Sequence, residues 1–534
     1  MNLPELAAEA APQFVDAASC KAWLQDVPLA NVGAAQDELR RELREYNRFP
    51  SSAVKRLEVM EALREAVHFV QIEQAKRFSS RALPATDAES AIFEATIALW
   101  DEMRLGYQRL LEAALGGDPA VRPQAALICQ RAIAYGGLKM FHHYRAYREV
   151  PAREWRALHA AYAGAEKLEA AEEAVQDFLN RDVHESSPRI AYAHAVLMGL
   201  CSPNELAQRQ LAFVAYLLER WAAKLEVSPA PLDEGLGVPP LVADLEKDRC
   251  PERIAEADAK LIEPRYLDTR KLAKSLRNRV ALLRKGESPA RLGLGEDCVQ
   301  PSCEQLLVFL YRQWCQAKPA RAPGRQAADA IAQADIGLEA IYHHVSGRAF
   351  RQPVGASELT QKQRDEIATF GRVISRDDGS AQAVALDDWE VEEESAQGLR
   401  LVRRAGREGK RVAHGQLMLV RPRDAKSFML GQVRWLMAAQ NGELHAGLRL
   451  LPGVPSAVAV RPTGLNAQNE KYLPALVLGA VPALDAPPSL VLPPGWFKPK
   501  RVIETYADGA SRVRLTEVLE RGSDFERVGY EPGS

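Results

Sequence analysis

The sequence predicts an α+β multidomain protein, with an all-α region first and antiparallel strands last. Two observations carry this. Through the first ~225 residues apolar side chains recur at helical spacing. Toward the C-terminus the period falls to two, and turn dipeptides separate the alternating runs. Such segregation predicts separate α and β modules rather than an alternating α/β sheet. A chain of 534 residues is too long for one ordinary core, so about two to four domains are expected.

In the helical region, Ser52 precedes a stripe at Leu57, Met60, Leu63 and Val67. Thr86-x-x-Glu89 is a capping box ahead of Ile92, Leu99, Met103, Tyr107 and Leu110. Ser202-Pro-Asn-Glu205 reads as another, with proline at the first helical position and a stripe at Leu211, Val214, Leu218 and Trp221. Trp155-x-x-Leu158-x-x-x-Tyr162 has the opening pattern of a helical-hairpin repeat, but no convincing copy lies about 34 residues away. One amphipathic helix in an irregular bundle is the simpler reading.

Proline and glycine dominate 227–240, which predicts a linker or long loop. Helices are expected again at 241–283 and 303–316, before a second break at Lys318-Pro-Ala-Arg-Ala-Pro-Gly-Arg325. Alternation then marks strands at Leu417-x-Leu419, Phe428-x-Leu430 and Leu444–Leu450. Asn441-Gly442 and Asp508-Gly509 are hairpin signals.

Lysine plus arginine (69) nearly balances aspartate plus glutamate (71). No global basic field argues for nucleic acid. No apolar run reaches the roughly 18 residues that span a bilayer, and the N-terminus lacks a signal-peptide pattern. Seven scattered cysteines suit reduced thiols. Together these predict a cytoplasmic protein without membrane insertion. Cys298, Cys303 and Cys315 lack paired Cys-x-x-Cys spacing and are expected as buried free thiols, with no metal. His142-His143 and His343-His344 are adjacent pairs, which point to different helix faces and make poor joint ligands. Nucleotide-hydrolysis, dinucleotide, nucleophile-elbow and zinc-protease motifs are absent, so no catalytic residue and no cofactor are expected.

The informative stretch is Trp389-Glu-Val-Glu-Glu-Glu-Ser-Ala-Gln-Gly-Leu-Arg-Leu401, followed by Gly431-Gln-Val-Arg-Trp-Leu436. Two strand-like runs flank a Ser-x-x-Gly turn. This resembles the second signature of the bacterial PilZ domain, a small β-barrel that binds cyclic di-GMP, written Asp/Asn-x-Ser-x-x-Gly. Here Glu393 takes the first position, with Ser395 and Gly398 following. The family also carries Arg-x-x-x-Arg before its first strand. Arg321 and Arg325 precede a possible strand at 328–336, with almost 70 residues between that element and Ser395. Arg372 and Arg376 lie closer but leave little room for a strand before Trp389. Both pairs stay open, the first slightly preferred because a proline-rich lead-in suits a ligand clamp.

The resemblance implies a C-terminal PilZ-like antiparallel β-barrel region. The expected division is 1–226 helical domain, 227–318 linker and second helical segment, 319–460 PilZ-like barrel with an insertion, and 461–534 β extension. It also implies a non-catalytic, cytoplasmic bacterial regulator. Cyclic di-GMP would bind beside the arginines, Glu393, Ser395 and Gly398, and a protein partner would meet the helical region. Arginine supplies a planar donor fork for the two phosphates and the guanine edges, whereas Glu392 and Glu394 bring unfavourable charge beside a dianion. Two alternatives remain: a ligand-free adaptor with a degenerate barrel, and an enzyme with its site in the helical region.

Overall fold

The structure is a computed structural model. It describes residues 3–232, 240–254, 260–316, 326–353, 385–463 and 470–533, with backbone alone at 326–329. The chain divides into two units, Met1–Arg81 with Ala85–Arg321, and Ala82–Pro84 with Ala322–Ser534.

The first unit opens with α1 (Ala17–Asp26), α2 (Val32–Arg48), α3 (Ala53–Ala75), α4 (Asp87–Leu115), α5 (Ala125–Arg145) and α6 (Ala152–Lys167). Ser52 caps α3, and its hydroxyl accepts from the Lys55 amide. Thr86 and Glu89 form the reciprocal capping box of α4, with Glu89 N to Thr86 Oγ1 at 3.2 Å and Thr86 N to Glu89 Oε2 at 2.8 Å. The stripes bury as expected: Met60, Leu63 and Val67 from α3 join Leu99, Met103, Tyr107 and Leu110 from α4 in one core. Short strands β1 (Val175–Gln176) and β2 (Glu185–Ser186) precede α7 (Pro188–Leu200) and α8 (Gln208–Trp221).

That core also holds ions. Asp177 is bound by Arg64 at 2.5 Å and Arg131 at 3.2 Å, and Arg131 reaches Glu61 at 3.1 Å. Burial alone would raise the Glu61 and Asp177 carboxyls. The neighbouring arginines win, and both are held below the usual carboxylate range. The Lys139 ammonium likewise sits between Asp101 and Glu154, at 2.7 and 2.8 Å. His142 and His143 are buried and pack edge-on against Phe78 and Phe93 respectively.

Three local expectations are corrected. Ser202 has φ +52° and leads a single 3₁₀ turn, Pro203–Glu205; α8 starts later, where Gln210 Oε1 accepts from the Ala207 amide at 2.9 Å. The stretch from Leu241 is not helical at first: β3 (Glu226–Ser228), β4 (Leu241–Asp244), β5 (Glu252–Arg253) and β6 (Pro264–Asp268) form a sheet in the order β3-β6-β4-β5. Only then do α9 (Arg270–Arg284) and α10 (Ser302–Cys315) follow. A short apolar run such as Leu241-Val-Ala fits either state until its pairing partner is known. Finally, Cys298 and Cys303 are joined in a disulfide, while Cys315 is free.

The second unit holds two closed antiparallel barrels. The first uses β7 (Gln326–Ile336), β8 (Asp387–Ser395), β9 (Gly398–Arg403), β10 (Leu417–Pro422), β11 (Met429–Ala438) and β12 (Leu444–Leu450), with α11 (Leu338–Ser346) between β7 and β8. Its order is β10-β11-β12-β9-β8-β7, and β7 pairs with β10 to close it. The Asn441-Gly442 turn joins β11 to β12, with Gly442 at φ +84°. The second barrel uses β13 (Pro455–Pro462), β14 (Leu473–Leu478), β15 (Ser489–Leu492), β16 (Val502–Tyr506), β17 (Ala510–Arg521) and β18 (Glu526–Pro532). Asp508-Gly509 turns β16 into β17, as its hairpin signal implies.

Side chains alternate inward and outward along each strand. In the second barrel Ala475, Leu490 and Val528 share one buried cluster. The opposite parity, Leu476, Leu478 and Val491, joins Phe525 in another. Leu417, Leu419, Leu430 and Leu451 of the first barrel and Ile341 of α11 belong to that same cluster, an apolar seam between the barrels.

Candidate functional site

The predicted motif lies on the hairpin of β8 and β9. Ser395 pairs directly with Gly398, and the Ser395 hydroxyl donates to the Gly398 carbonyl at 3.1 Å. Glycine is required at 398 by the neighbouring strand. A Cβ there would stand 2.4 Å from the Leu448 carbonyl oxygen.

Register then extends the motif across four strands. Directly paired antiparallel residues share a face. One row runs Glu393, Arg400, Gly447, Trp435; the next runs Ser395, Gly398, Arg449, Gln432. The intervening row holds the buried Leu399 and Leu448 and points inward. The two motif rows therefore occupy the outer face of the first barrel. β-bulges at Val391/Glu393 and Val433/Trp435 adjust the register at both sides of the first row.

The two glycines shape this face. A Cβ on Gly447 would fall 1.8 Å from the Trp435 indole nitrogen, so the ring lies across the bare backbone. The Arg400 guanidinium carbon is 6.0 Å from the Trp435 ring centre, at the outer limit of a cation–π contact. The result is a partly exposed aromatic surface beside two arginines, each about 40% exposed (37% and 46%).

Electrostatics temper this. Arg400 Nε is 2.9 Å from Glu392 Oε2, and its terminal nitrogen is 3.7 Å from Glu393 Oε1. The close Nε contact is an ion pair only: no hydrogen bond is aligned there, and that buried donor is unsatisfied. Also on β8, Glu390 binds Arg404, which lies just past β9, and hydrogen bonding by Arg404 holds its carboxyl low.

Glu393, Ser395 and Gly398 thus share one surface. Arg321, Arg325, Arg372 and Arg376 lie outside the described residues. Arg400, Trp435, Gly447, Arg449 and Gln432 were not singled out as site residues from sequence. Arg434-Trp435 stood in a quoted strand, but only the register brings Trp435 across to Arg400. Among the described residues no group of His, Cys, Asp or Glu could hold a metal ion. Among the described residues no helix is long and apolar enough to cross a membrane.

Comparison with known proteins bears on both ends of the chain. Residues 18–231 match the family model of the cyclic-di-GMP receptor FimW, N-terminal domain. Residues 458–532, within the second barrel, match the FimW C-terminal beta-barrel domain. The cyclic-di-GMP receptor FimW of Pseudomonas aeruginosa (strain PAO1) is 24% identical over 566 aligned positions, which take in 96% of this chain and 90% of that protein. By its helical region and its last barrel, the chain is similar to the two ends of a FimW receptor along nearly its whole length.

Proposed function

We propose that this chain is a non-catalytic receptor for cyclic di-GMP, that its first barrel is PilZ-like, and that the ligand lies on the outer face formed by the Ser395–Gly398 and Arg400–Trp435 rows. One observation carries the reading: four strands place a serine hydroxyl, two arginine forks and a flat aromatic ring around two glycines. A cyclic dinucleotide offers phosphates to the arginines and purine faces to the ring. The receptor name borne by the similar Pseudomonas protein supports the same ligand.

Covalent continuity favours Arg321 and Arg325 as the clamp. Gln326, bonded to Arg325, pairs with Glu394 beside Ser395. The strand after Arg372 and Arg376 begins with Asp387, which pairs with Ala334. That is the opposite end of a nine-residue strand, about 26 Å from Ser395 at ~3.3 Å per residue. A protein partner at the helical region, in a cytoplasmic setting, completes the proposal.

Calorimetric titration of the full chain with cyclic di-GMP tests it. Binding is expected in the parent and weakened by ~1.5–3 kcal/mol per lost charged hydrogen bond in Arg321→Ala/Arg325→Ala, while Arg372→Ala/Arg376→Ala binds like the parent. A folded parent that binds nothing would leave the adaptor reading, which the pairing of Arg400 with Glu392 and Glu393 favours.

A further inference from the structure

The second row of the candidate face does not end at the first barrel. Arg449, the register partner of Gly398, extends its guanidinium to Glu520 of β17 in the second barrel, at 2.6 Å. Next along the row, Gln432 Nε2 donates to the Arg521 carbonyl at 3.0 Å. The face beside the Ser395–Gly398 turn is thus joined to one short stretch of the second barrel, Glu520-Arg521.

The two sides of the ion pair differ. Arg449 is 46% exposed and Glu520 only 15%. The second Glu520 oxygen is buried without a hydrogen-bond partner. Arg527 from β18, itself buried and tied to the Ser489 hydroxyl at 2.9 Å, stands 3.9 Å from Glu520. If Arg449 leaves, Glu520 keeps a cation at hand and is not stranded, which would be costly for a buried carboxylate. Arg449 is the more exposed half of the pair. It is half in water, on a long side chain, directly paired with Gly398 of the candidate face.

We infer that Glu520 holds Arg449, one of the two arginine forks of the proposed face, in the empty receptor as an internal stand-in for a ligand phosphate. An anionic ligand on the Ser395–Gly398 row takes over the guanidinium fork, and Glu520 turns to Arg527. The exchange loosens one tie between the barrels, so binding on the first is reported to the second. The inference rests on the proposed ligand, and it gives the ligand differential affinity for two arrangements, as any such shift requires.

Calorimetry with cyclic di-GMP on the full-length parent, Glu520→Gln and Arg449→Ala decides it, with melting temperature confirming the fold of each. The expected result is binding several-fold tighter in Glu520→Gln and at least ten-fold weaker in Arg449→Ala. Should Arg449→Ala prove unstable, Arg449→Lys, which keeps the charge but loses the fork, is expected to bind weakly as well. A parent that binds, with Glu520→Gln no tighter or Arg449→Ala no weaker, overturns the exchange and leaves the ligand reading standing. A silent parent with a binding Glu520→Gln supports the exchange as a lock. Silence in all folded proteins overturns the exchange and the ligand reading together.

Discussion

Two glycines on neighbouring strands have opposite kinds of neighbour, which separates their consequences. At Gly398 the obstacle is the Leu448 backbone oxygen, 2.4 Å from a built Cβ. It cannot move without bending β12. Gly398→Ala is therefore expected to destabilise the second unit by about 1–3 kcal/mol, seen as an earlier thermal transition. At Gly447 the obstacle is the Trp435 indole, a side chain that can swing away. Gly447→Ala should leave stability within about 1 kcal/mol, yet shift tryptophan emission and weaken cyclic di-GMP several-fold in the same titration. Equal stability losses in both variants would show that the indole is as fixed as the backbone.

Among single elements, α5 carries the clearest pH signature. Burial pushes the His142 and His143 imidazoles down, to about 3 and about 4 from an ordinary 6.5. Both are neutral in the fold, whereas unfolded chains protonate them. Their contribution is complete above the unfolded value and is lost as pH falls toward the folded ones. Near pH ~5 each neutral, buried imidazole costs about 2 kcal/mol relative to neutral pH. Calorimetric melting between about pH 7 and 5 should show the loss, and a flat profile would mean that water reaches the rings. The carboxyls held low by their arginines, Glu61 and Asp177, stay ionised throughout that window.

Elements with local chemistry were legible: the Thr86–Glu89 box, the Asn441-Gly442 hairpin and the Ser395–Gly398 turn each close within a few residues. Leu241–Asp244 was not, because its strand state depends on β6, about twenty residues on. Arg449 and Trp435 escaped for the same reason. Nothing near them in sequence says that the register sets them beside Gly398 and Arg400, and a two-residue bulge is invisible until both strands are aligned.

For the whole molecule, the break at Arg321/Ala322 predicts separable units. A fragment from Lys318 to Ser534 is expected to fold alone with a mainly β circular dichroism spectrum. A mainly helical or unfolded spectrum would refute the boundary. Within that fragment the two barrels should melt in one calorimetric transition, since the seam of Leu417, Leu419, Leu430, Leu476, Leu478 and Phe525 is buried from both sides. Each leucine there contributes about 1.5–3 kcal/mol on burial.

That seam has a consequence for solubility. Barrel closure removes the strand edges through which β-proteins usually aggregate, so each barrel alone would seem safe. Yet a chain ending just after Leu451 would keep every backbone pair of the first barrel and still turn Leu417, Leu419, Leu430 and Leu451 into one bare oily plate. Premature termination at that point should yield a protein that folds and precipitates, so the second barrel serves the first as a permanent lid against self-association.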